Sequence, residues 1–131
     1  MKYLLDTNAV ICMMKRQHGL QQRILEAGLD QCVVSEITLA ELYVGLFKGK
    51  DERQKREVEA VKRLFPILPI TPAIELYAKN RADLELSGNK IDDFDLLIGS
   101  TAIKHNLVVV THNKNHFDRI PNLKTVDWET E

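Results

Sequence analysis

The chain has 131 residues, 44% of them hydrophobic and 28% charged, which suits one domain built around one substantial core. A formal net charge of −1 excludes a nucleic-acid binder that works through overall basicity and leaves only a local patch for such a role. No apolar run approaches the ~20 residues of a membrane helix, and only three apolar-type residues separate Lys2 from Asp6, unlike a signal peptide, so a cytoplasmic location is expected.

The first element is a short buried strand at Tyr3-Leu4-Leu5. It runs directly into Asp6-Thr7-Asn8, and the apolar stretch from Asn8 to about Lys15 opens a helix with Thr7 or Asn8 as its cap. A second helix follows Gly19 and closes at Gly28, a suitable C-terminal glycine. Cys32-Val33-Val34 is a second short strand, ending at Ser35. The stretch SEITLAELYVGLFKG is helical and apolar nearly all round, so protein should cover both its sides. DERQKREVEAVKRLF places Val58, Val61, Leu64 and Phe65 at helical spacing among charges that read as a solvated face. Pro66 and Pro69 bracket a weak short strand. Pro72 suits the first turn of a helix that reaches about Leu86 and closes at Ser87-Gly88-Asn89. DDFDLLIGSTAIKHN is helical, Leu107 to Val110 is the clearest strand, and Lys124 to Val126 is a last extended piece before an acidic, frayed tail. Cys12 and Cys32 stand far apart, outside any CxxC pair, and are expected as reduced, small apolar residues.

Short apolar strands alternating with helices predict an α/β fold, one domain over 1–131, with a parallel sheet of four or five strands and helices on both faces. In such sheets ligands sit beyond the carboxyl ends of the strands. Asp6, Ser35, Thr111 and Asn113 all fall at strand ends and so point to one edge. Two further acids interrupt apolar helices: Glu41 among Leu39, Ala40, Leu42 and Tyr43, and Asp95 between Phe94 and Leu96. Each has a plain alternative. Asp6 would cap a helix, Asp95 would face a helix dipole, and Glu41 would fill an exposed gap or an ion pair. As a group they point to chemistry, because neighbouring carboxylates stay ionised only beside positive charge. No lysine or arginine is adjacent to any of the three, and a hard divalent cation such as Mg²⁺ or Mn²⁺ is the simplest partner. The histidines, His18, His105, His112 and His116, form no HExxH or Cys/His set, which disfavours zinc.

With these residues in place, the chain resembles the PIN-domain ribonucleases, and among them the VapC-type toxins of bacterial toxin–antitoxin pairs. The likeness rests on YLLDTN, on S-x-x-T-x-x-E-L from Ser35 to Leu42, on F-D-x-x-I-x-x-x-A from Phe94, on the strand ending V-T-x-N-x-x-x-F, and on the closing LKTVDW. The resemblance implies an Mg²⁺- or Mn²⁺-dependent endoribonuclease that leaves a 5′-phosphate and a 3′-hydroxyl. It assigns the metal-holding acids to Asp6, Glu41 and Asp95 and supporting polar roles to Thr7, Asn8, Ser35, Thr111 and Asn113. Many PIN domains carry a further Asp where this chain has Asn113, a departure that lowers the site's charge and favours one metal over two. Asp92 and Asp93 either add a further ligand to the site or cap the helix, with capping the first reading. Lys90, Lys114 and Arg119 are the first choices for RNA phosphate contacts. The resemblance also implies two protein partners, a second copy of the chain and a cognate antitoxin, with the apolar helix around Leu42 to Phe47 as a partner surface. A haloacid-dehalogenase-type phosphatase also places an Asp after its first strand, but it needs a second Asp where this chain has Asn8.

Overall fold

The computed structural model describes residues 1–131. Five strands, β1 (Tyr3–Leu5), β2 (Cys32–Ser35), β3 (Ile67–Leu68), β4 (Val108–Val110) and β5 (Lys124–Val126), pair entirely in parallel in the order β3-β2-β1-β4-β5. The α/β sheet is the one the strand pattern predicts. The strands are only two to four residues long, so side-chain burial on both faces has to hold what a short hydrogen-bond ladder cannot.

The register shows how that burial works. Leu4, Val33 and Val109 stand side by side, and so do Leu5, Val34 and Val110 one residue later. Because successive side chains alternate faces, the first row joins Leu84, Ile91, Leu96, Ile98 and Phe117 on one side of the sheet. The second row joins Val10, Met13, Ile24, Val58, Val61 and Trp128 on the other. The second side is covered by α1 (Thr7–Met14), α2 (Leu20–Ala27) and α4 (Glu52–Leu64), and the first by α5 (Ile74–Leu86) and α6 (Asp93–Lys104). Helix α3 (Glu36–Gly49) contributes to both, and a single turn, α7 (Lys114–Phe117), follows β4.

Four expectations change. The cap of α1 is Asp6, not Thr7 or Asn8: its Oδ1 accepts from the Ala9 N–H at 2.8 Å. Pro72 opens a 3₁₀ turn, Thr71–Ala73, and α5 starts after it. Helix α3 is not covered on all sides. Only Thr38 and Leu42 are fully buried, while Val44 and Phe47 are 54% and 71% exposed. The C-terminal tail is docked rather than frayed. Trp128 is buried with its ring 4.9 Å from that of Tyr3, and the Arg23 guanidinium donates to the Trp128 and Glu131 carbonyls at 3.3 and 2.6 Å. The tail's acids suggest solvent, but an aromatic anchor and an arginine more than a hundred residues away decide its position.

Candidate active site

The chain order places β2 and β3 to one side of β1 and β4 and β5 to the other. Beyond the carboxyl ends of β1 and β4 the connections part, which opens a crevice at the switch point. Asp6 leaves β1 there and Thr111 leaves β4. The Asp6 N–H donates to the Val110 carbonyl at 3.1 Å, so the acid is fixed to the neighbouring strand.

Asp6 is 4% exposed. Burial pushes its carboxyl up from 3.8 to about 6, against the opposing pull of hydrogen bonds from Thr111 and the Ala9 N–H; Asp95 and Glu129 push it further up. Asp95 sits in the first turn of α6, whose cap is Asp92, with Oδ2 accepting from the Phe94 and Asp95 N–H groups. Burial raises the Asp95 carboxyl as well, aided by Asp92 and Glu41 and opposed by His116, whose Nδ1 lies 3.8 Å away. Glu41, half-buried on α3, accepts from the Thr7 hydroxyl at 2.6 Å. Thr7 has one proton and gives it to Glu41, so the Thr38 hydroxyl, 3.0 Å away, donates to Thr7 in turn. Thr38 lies three residues before Glu41 on the same helix face, inside the S-x-x-T-x-x-E motif, and sequence reasoning assigned it no part.

The three acids therefore act on one another, Asp6 with Asp95 and Asp95 with Glu41. None has a lysine or arginine within ion-pair distance; the His116 imidazole, beside Asp95, is the only basic side chain at that range. An all-carboxylate donor set with uncompensated charge fits a hard divalent cation. Their oxygens do not converge as tightly as the ligand atoms of His112, Asp127 and Glu129, which all lie within 4.8 Å of one another. That spacing leaves room for a cation's waters among its ligands.

The other predicted residues fall as follows. Ser35 is buried and caps α3 through the Ile37 N–H at 3.0 Å, a positioning task at the end of β2. Thr111 Oγ1 accepts from the Asn113 N–H at 2.9 Å, and Asn113 Nδ2 lies 2.9 Å from His116 Nδ1. Asn8 is exposed on α1 with no side-chain hydrogen bond. Asp93 accepts from Tyr77 at 3.0 Å and pairs with Arg81 at 3.5 Å, facing α5 rather than the acids. Lys90 and Arg119 are exposed, whereas Lys114 is engaged by Glu131 at 2.9 Å. Both cysteines are free thiols. Sequence reasoning missed His116, which reaches Asp95, and the His112–Asp127–Glu129 cluster after β4 and β5; LKTVDW counted toward the resemblance, but its acid and Glu129 were given no role.

The PIN domain family matches residues 3–123. Ribonuclease VapC1 of Haemophilus influenzae (strain R2866) is 36% identical over 132 residues, covering 98% of both chains. The tRNA(fMet)-specific endonuclease VapC of Shigella flexneri is 28% identical over 98% of each. The crystal structure of VapBC2 from Rickettsia felis, bound to a DNA fragment from its promoter, superposes with a TM-score of 0.88 at 32% identity, over 98% of this chain and 99% of that one.

Proposed function

The chain belongs to the PIN-domain family and, within it, to the VapC ribonucleases, and on that premise we propose that it is a divalent-metal-dependent endoribonuclease and the toxin half of a toxin–antitoxin pair. The observation that carries the reading is the meeting of Asp6, Glu41 and Asp95 at the sheet's switch point, coupled to one another and without a lysine or arginine partner. Mg²⁺ or Mn²⁺ bound there would polarise a water and offset charge on the scissile phosphate.

The chain's own residues prepare that chemistry. The Ala9 N–H and Thr111 hold the Asp6 carboxylate in place. The Thr38–Thr7 relay fixes Glu41, and the Asp92 cap fixes the first turn of α6, which carries Asp95. Without a cation, three unbalanced acids would repel a phosphodiester, so RNA and metal binding are linked. Lys90 and Arg119 are the free cations best suited to the flanking phosphates; Lys114 would first have to leave Glu131.

Two apolar surfaces support two partners. A cleft of about 620 Å³ is lined by Met13, Met14, Ile24, Leu25, Leu29 and Leu64, with Arg16 and Arg53 among its polar lining residues. A concave, apolar and cation-edged surface suits an inserted antitoxin segment with acidic flanks. The Val44–Phe47 face of α3 is an exposed apolar surface, and it suits a second copy of this chain. The similar solved structures include VapBC complexes and a toxin–antitoxin complex from Klebsiella pneumoniae, which supports an antitoxin as one of the partners. Cytoplasmic action on RNA follows from the same reading, and no helix is long and apolar enough to cross a membrane.

The test is cleavage of purified RNAs, initiator transfer RNA first among them, with Mg²⁺ or with EDTA. Cutting should require the metal and disappear in Asp95→Asn. Cutting that persists in EDTA, or in Asp95→Asn with the fold intact, would overturn the assignment.

A further inference from the structure

We propose that His18, His112, Asp127 and Glu129 form a second cation site, separate from Asp6, Glu41 and Asp95 and suited to an imidazole-accepting first-row ion such as Zn²⁺, Co²⁺ or Ni²⁺. The residues come from three places in the chain: the loop between α1 and α2, the end of β4, and the tail after β5. His112 Nδ1 lies 2.8 Å from Asp127 Oδ2 and 3.9 Å from Glu129 Oε2, and His18 Nδ1 lies 3.3 Å from Glu129 Oε1. A tetrahedral ion with bonds of about 2.0–2.1 Å holds its ligand atoms about 3.4 Å apart. His112, Asp127 and Glu129 offer ligand atoms all within 4.8 Å of one another, close to that spacing, and His18, which faces the other Glu129 oxygen, would swing in as the fourth ligand.

Charge supplies a second, independent reason. The Asp127 and Glu129 side chains are only 8% and 15% exposed, yet neither has a lysine or arginine within ion-pair distance. Arg23 passes close by but spends its donors on the Trp128 and Glu131 carbonyls, and Lys114 takes Glu131. Asp127 also accepts from the Glu129 N–H at 2.9 Å, and its contact with His112 favours the imidazolium, so the only positive charge facing the two poorly hydrated carboxylates is an imidazole proton. A divalent ion would take the place of that proton. The imidazoles are more than half exposed, which leaves an entry path and room for a water ligand. The donor set also differs in kind from the neighbouring all-carboxylate one: nitrogen donors favour Zn²⁺, Co²⁺ and Ni²⁺ over Mg²⁺. An ion here would tie the tail to the α1–α2 loop beside the crevice.

The test is a Co²⁺ titration of the full-length chain in excess Mg²⁺, read by visible d–d absorption, which reports nitrogen-containing tetrahedral coordination directly. One equivalent should bind. His112→Asn and Glu129→Gln should each weaken binding at least about tenfold, whereas Asp6→Asn should leave the spectrum in place. Far-UV circular dichroism checks the fold of each variant, and His18→Asn, in an exposed loop, serves as a further variant that must also weaken binding. An unchanged titration in His112→Asn and His18→Asn, loss of the band in Asp6→Asn, or no band in the parent chain would each overturn the site and leave an ordinary histidine–carboxylate ion pair.

Discussion

Asp6→Asn should stabilise the metal-free chain while destroying the candidate active site. Burial lifts the Asp6 carboxyl from 3.8 to about 6. At about 1.4 kcal/mol per pH unit, the ionised carboxylate costs the metal-free fold as much as about 3 kcal/mol at neutral pH. The folded state holds its proton more tightly than the unfolded chain does, so this group's contribution is fullest below 3.8 and falls as pH rises from 3.8 through about 6. Asn removes that dependence. It keeps the helix cap, since an amide oxygen still accepts from the Ala9 N–H. The assay is urea unfolding of both proteins in EDTA at about pH 4 and about pH 7.5, comparing variant with parent so that the other titrating groups cancel. Asp6→Asn should be the more stable at the higher pH, and the gap should close at the lower. Saturating Mg²⁺ should then raise the parent but not the variant. A variant less stable than the parent at both pH values, or a gap that ignores pH, would refute both the burial cost and the argument for a cation.

Other consequences are equally direct. Thr7→Val keeps the side-chain shape but removes the hydroxyl that donates to Glu41, a charge-assisted bond worth about 1.5–3 kcal/mol, so cleavage should fall by at least about tenfold in a gel assay and Tm should drop by several degrees. Gly99→Ala would bring a Cβ to 2.6 Å from Ile120 Cδ1 and 3.2 Å from Leu123 Cδ2, and repacking should cost about 1–3 kcal/mol in denaturant unfolding. Leu25→Asp, at an exposed position on the apolar cleft, should leave cleavage intact and abolish capture by the cognate antitoxin in a pull-down. Phe47→Glu should shift a concentrated sample toward monomer in analytical ultracentrifugation, since Phe47 is the most exposed side chain of the α3 face.

The sheet was legible because its strands are short runs of Leu and Val that stop abruptly on polar residues. Buried parallel strands must be apolar on both sides, and the crevice lies where that rule breaks. Asp6, Glu41 and Asp95 stood out for the same reason, each being a carboxylate among neighbours that exclude water. What stayed hidden depends on partners distant in the chain. Nothing near Asp6 announces that it is cap and crevice acid at once. Thr38 is an unremarkable threonine until Thr7 arrives opposite it. His112 and His116 share a helical spacing yet turn to different carboxylates, Asp127 and Asp95, because only the first turn of α7 separates them and they leave the sheet edge in different directions. Helix α3 is apolar enough for full burial, but the domain has no further layer to cover Val44 and Phe47.

The order of the strands also bears on how such a nuclease can be made safely. β1, the earliest of the five strands in sequence, ends in the middle of the sheet, and one of its two neighbours, β4, follows only after β2 and β3 and their helices. The crevice needs that neighbour, since the Asp6 N–H is bonded to the Val110 carbonyl and Thr111 follows at the end of the same strand. A growing chain therefore carries the first acid early but cannot assemble the site until β4 has been translated. The apolar cleft depends mainly on α1, α2 and α4, all of which precede β4. An antitoxin could thus find its surface on the nascent chain before there is any activity to restrain.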